Sequence, residues 1–107
     1  MAYKIKIPKL KEKKEKWKKV GVVGVDSGTL HIGDPAYSEE LNYEKDVIKG
    51  MENKQIHQLK FKLGHKGRGV ITETGLGDGV YPVYAKVGKV DRRGKRVKEI
   101  KIKFIEK

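Results

Sequence analysis

Residues 20–37, VGVVGVDSGTLHIGDPAY, and residues 75–83, GLGDGVYPV, carry the densest apolar runs of the chain, punctuated by glycine. The valines at 20, 22, 23 and 25 read as a strand buried on both faces or nearly so. β-Branched side chains suit a pleated surface, and Gly21 and Gly24 let another backbone come close. Asp26-Ser27-Gly28 is turn chemistry, so residues 29–32 read as the return strand of a hairpin. Leu30 and Ile32 then face one way, Thr29 and His31 the other. Pro35 drives the residue before it out of helical geometry and closes the hairpin at Gly33-Asp34.

Further along, Ser38 offers a helix N-cap, and Glu39 and Glu40 suit the positive end of a helix dipole. Leu41, Ile48 and Tyr37 would line one face of a helix running to about Lys49, with Gly50 as its stop. Leu59, Phe61 and Leu63 alternate with Gln58, Lys60 and Lys62 as a half-exposed strand. Residues 64–69 read as a loop, 70–74 as a strand, 75–79 as a loop and 80–90 as the longest strand. Pro82 there suggests an edge or a bulge. Residues 91–94, DRRG, form a hairpin turn into a last strand in which Ile100, Ile102 and Phe104 alternate with Lys101 and Lys103.

At the other end, Tyr3, Ile5 and Ile7 alternate with lysines up to Pro8. Residues 9–19, KLKEKKEKWKK, contain Glu12–Lys16 and Glu15–Lys19 at the i,i+4 spacing that supports a helix. Leu10 and Trp17 are the only apolar residues there, so a helix or basic arm laid over the domain edge by Trp17 is expected. The sum is a mainly β, α+β fold. Six or seven strands would form an antiparallel sheet curled into a small roll or sandwich, with one or two short helices. Residues 1–19 form a basic strand and arm, and 20–107 a single β-rich domain, as 107 residues suffice for one core.

The formal charge of +12 is uneven: residues 1–19 carry +7, residues 89–107 carry +6, and the middle is close to neutral. Lysine outnumbers arginine 22 to 4. Lysine suits phosphate as a point charge, whereas arginine supplies the forked contacts that read base edges, so sequence-specific readout is disfavoured. Abundant Lys and Glu with few Asn and Gln is equally the composition of a heat-adapted protein. The absence of cysteine excludes a disulfide framework and thiolate metal ligation. No apolar run approaches the roughly 20 residues that span a bilayer, and residues 1–10 lack a signal-peptide pattern. A cytoplasmic protein with no membrane partner is the expectation.

The blocks VDSGTLHIGDPAY and GDGVYPVYAKV, followed by GKRVKEIKIKF, resemble a small family of bacterial and phage proteins with no assigned activity. The likeness covers residues 20–37 and 75–105 and leaves the basic arm outside. Members often carry Cys where this chain has Ala36, so any cysteine role is missing here. The resemblance implies only that the two blocks belong together in one fold.

Three groups of residues are candidates for function. Asp26, Asp34 and Asp78 sit in turns, with His31 on a strand between two of them. Were the turns to converge, they could bind a divalent cation or perform acid–base chemistry as a small ligand-binding protein or hydrolase. No catalytic motif supports an enzyme, and D-S-G, G-D-P and G-D-G equally stabilise their own turns. His65, Lys66 and Arg68, in the glycine-rich loop 64–69, could cradle an anion, although the Walker pattern is absent. Lys14, Trp17, Lys18, Arg92, Arg93, Arg96, Lys101 and Lys103, with an exposed Tyr81 or Tyr84, would contact nucleic acid without sequence preference. That non-enzymatic binding is the favoured function. A phage- or mobile-element-type interaction domain with a protein partner is the other alternative.

Overall fold

Among the described residues, six strands and two short helices carry the chain. The computed structural model describes residues 15–60, 67–92 and 94–105, except for the side chains of Val90 and Asp91. The expected strand at residues 3–7 and the side chains of Phe61 and Leu63 fall outside that description. β1 is Lys18–Val25, β2 Thr29–Ile32, β3 Ile56–Leu59, β4 Gly69–Glu73, β5 Gly79–Asp91 and β6 Gly94–Ile102. They form two three-stranded antiparallel sheets, ordered β1-β5-β6 and β2-β4-β3. The fold is mainly β, of α+β class. The chain divides into two compact units, one holding residues 25–78, the other residues 15–24 and 79–105 of the described chain.

The hairpin expected between residues 20–25 and 29–32 does not form, because β1 pairs with β5 and β2 with β4. Gly28, at φ +72°, makes the turn between them. β1 is therefore an edge strand, and the expected burial on both faces is overturned: Val20 and Val22 are 57% and 58% exposed, and only Val25 is buried.

In the first unit, His31, Ile71 and His57 lie in one row across β2, β4 and β3, and residues directly opposite share a face. Ile71 and Leu59 on that face are buried with Val47, and Leu41 and Met51 pack against them. The Thr29–His31 side of β2 is thus the inner one, while Ile32 and Ile56 on the outer side stay exposed.

The single helix expected from Ser38 to Lys49 is two helices. A 3₁₀ helix, Pro35–Glu40, is capped by Asp34, whose carboxylate accepts from the Ala36 amide at 2.9 Å. Leu41 and Asn42 are extended, and Asn42 caps a second helix, Tyr43–Lys49, by accepting from the Lys45 amide. This helix is wound wide, with the Gly50 amide bonded to the Lys45 carbonyl five residues back. The wider winding shifts the buried face, so Val47 enters the core and Ile48 remains 54% exposed. Gly50 ends the helix, but at φ −63° rather than left-handed. A side chain there would meet the Asp46 carbonyl and the His57 ring, so close packing requires glycine. Asn53 holds the left-handed position at φ 59°.

In the second unit, β5 and β6 form the longest ladder, pairing Val83 with Ile102 and Ala85 with Ile100 on one face. Tyr81 and Phe104 extend that face as an edge-to-face ring pair at 5.4 Å. Tyr84 with Lys101 and Lys86 with Glu99 occupy the other face. The register then slips between Lys86 and Val87, leaving Lys98 as the extra residue of a bulge. Pro82 lies on the central strand, not at an edge, and neither of the β5–β6 register shifts falls at it. Its carbonyl accepts from the amide of Lys103, one residue beyond β6, and by antiparallel geometry its missing N–H falls opposite that same residue, at the end of the β5–β6 ladder.

Candidate nucleic-acid interface

Residues 15–17 are not helical; they carry no regular secondary structure and lead into β1. The expected Glu15–Lys19 pair is replaced by a long-range one, in which the Lys98 ammonium donates to Glu15 Oε1 at 2.6 Å. Both side chains are mostly covered. Glu15 lies over Gly88, where any side chain would occupy the carboxylate's place. The hydrogen bond from Lys98 is the main reason the Glu15 carboxyl is held below its ordinary pKa, against the opposing effect of burial; the charges of Lys98 and Lys86 add to it.

Two residues on, Trp17 lies against the polar face of the ladder. The Lys101 ammonium is 4.2 Å and the Lys86 ammonium 4.9 Å from its ring centre. Lys101 is also 5.5 Å and Lys103 5.8 Å from the centre of the Tyr84 ring. Two aromatic rings and three ammonium groups thus share one face of a two-stranded ladder. Each contact is of cation–π type, worth about 0.5–1 kcal/mol when exposed. Lys86 also pairs with Glu99 at 3.5 Å. Among the described residues, no ion pair joins Lys101 or Lys103 to a carboxylate.

Of the residues expected to contact nucleic acid, Trp17, Lys101 and Lys103 come together here. Arg96 lies opposite Gly88, farther along the ladder. Lys18 is exposed at the start of β1 and Arg92 in the β5–β6 turn. Lys14 and Arg93 fall outside the described residues. Sequence reasoning missed Lys86, Lys98 and Glu15. Lys86 was findable, since it lies two positions from Tyr84 on one strand, which places both on one face. The bulge that turns Lys98 toward Glu15 leaves no sequence signal.

The turn aspartates form no comparable centre. Asp34 is engaged as a helix cap. Asp78 comes near Gly28, and the Thr74 hydroxyl bonds the carbonyls of Gly28 and Gly77, drawing the two glycine-rich turns together. Among the described residues, no three His, Asp or Glu side chains are arranged to hold a metal ion. His31 Nε2 is buried and has no hydrogen-bond partner among the described residues, and it lies close to Gly33 and Gly69.

Arg68 is no free anion ligand. It donates to the carbonyls of Lys60 and Glu40 and pairs at 3.7 Å with Asp46, itself 7% exposed. His65 and Lys66 fall outside the described residues.

Comparison with known proteins finds no matching family model, curated protein or solved structure. No helix of the described residues is long and apolar enough to cross a membrane.

Proposed function

We propose that the chain is a non-enzymatic binding domain that contacts nucleic-acid phosphates, without sequence preference, through the polar face of β5 and β6. The observation that carries this reading is the grouping of Lys86, Lys101 and Lys103 with Trp17 and Tyr84 on that face. Ammonium groups held beside rings, two of them unpaired with carboxylates among the described residues, are suited to phosphate. The net charge of +12 favours association with a polyanion over any acidic surface of its own. With four arginines in the chain, forked recognition of base edges has few donors, so affinity would rest on the backbone.

The reading is tested by fluorescence anisotropy of labelled oligonucleotides of unrelated sequence across a salt series. Binding should weaken linearly in a log–log plot, with similar affinity for each sequence. The Lys101→Ala/Lys103→Ala variant should flatten that slope by about 2. No binding at low salt would refute the proposal.

A further inference from the structure

Granted the phosphate-binding function proposed above, on which this inference rests, the same face also selects the form of nucleic acid. A phosphate site alone needs only lysines. Here the lysines surround two rings. The Trp17 ring centre lies within 5 Å of the ammonium groups of both Lys86 and Lys101, and the Tyr84 ring centre is 5.5 Å from the Lys101 ammonium and 5.8 Å from that of Lys103. In a duplex each base is covered above and below by its neighbours, so a protein ring finds no base face without unstacking the helix. A single strand offers its base faces freely, and each base stacked on an aromatic side chain is worth about 1–3 kcal/mol whatever its identity.

The spacing fits. Lys101 lies in β6 and Lys103 one residue past its end; two residues of extended chain advance about 6.7 Å, comparable to the step between phosphates of an extended nucleic-acid strand. Tyr84 stands directly opposite Lys101 in the register, so ring and ammonium are side by side. Among the described residues, Glu15 and Glu99 beside the face are already matched, Glu15 by Lys98 and Glu99 by Lys86. Lys98 also fixes the segment that carries Trp17, because Glu15 is two residues before the indole.

We infer that this face binds single-stranded nucleic acid in preference to duplex, with Trp17 and Tyr84 stacking bases while Lys101 and Lys103 hold the adjoining phosphates.

The test compares oligodeoxythymidine with a hairpin duplex of equal phosphate number, by anisotropy at two salt concentrations. The wild-type chain should bind the single strand about tenfold more tightly, the effect of roughly one stacked base. Trp17→Leu and Tyr84→Leu keep every lysine. Either should cut single-strand affinity about tenfold and lower duplex affinity by a much smaller factor, with thermal unfolding of both variants confirming that they fold. Equal wild-type affinity for the two forms, with the lysine-dependent salt slope intact, would overturn the strand preference alone. Loss of both affinities by the same factor in folded Trp17→Leu and Tyr84→Leu would overturn it as well. Failure of the wild type to bind either form would remove the underlying phosphate reading too.

Discussion

Gly69 shows how much a single position can be constrained. Its φ of +140° is open to glycine, and a side chain there would press within 2.6 Å of the Ile32 carbonyl and His31 Nε2. Gly69→Ala should therefore lower stability by about 1–3 kcal/mol, measured by denaturant unfolding; an unchanged midpoint would contradict the close approach. Glu15 is constrained by charge. Its carboxyl has a lowered pKa in the folded chain, so the stabilisation from Lys98 is complete above the unfolded carboxyl's pKa. It is lost as pH falls through the lower, folded value. Trp17 is the only tryptophan, so its emission should report that loss as a transition at acid pH. Glu15→Gln should abolish the transition, and an unaltered profile would show that the pair does not hold the indole. Neither Gly69's conformation nor Glu15's partner was legible in the sequence. Glycine-rich loops are ordinary, and Lys98 is 83 residues from Glu15.

Where elements meet, Arg68 fastens the helical segment to the β2-β4-β3 sheet by bonding the Glu40 and Lys60 carbonyls beside buried Asp46. Arg68→Ala leaves that carboxylate with the Asn42 amide as its remaining described donor, and should cost about 2–4 kcal/mol. Adding Asp46→Asn should recover part of the loss in a double-mutant cycle of thermal unfolding, since the uncompensated charge is then gone. Strictly additive effects would show that the two groups do not interact. Alternation and turn signals made the strands legible: residues 29–32, 70–74, 80–90 and the final strand all lie within or overlap strands of the structure. Strand partners were not legible, because the Asp26-Ser27-Gly28 signal marks a turn without saying which strands it joins. The helix near residue 40 was located but not its break, since the caps Asp34 and Asn42 compete with Ser38 for the same role.

For the molecule as a whole, charge segregation was visible from the sequence, as were Trp17, Lys101 and Lys103 as candidate contacts. Their union with Tyr84 and Lys86 depends on the β5–β6 register and on where the chain enters β1, which composition does not encode. Whether this union forms the nucleic-acid surface is decided by amide and indole NMR mapping of the full chain during titration with oligodeoxythymidine at low salt. Shifts should concentrate at the Trp17 indole and at Tyr84, Lys86, Lys101 and Lys103, and added salt should reverse them. Shifts centred instead on the turns at Asp26, Asp34 and Asp78, or spread evenly over every exposed lysine, would contradict it.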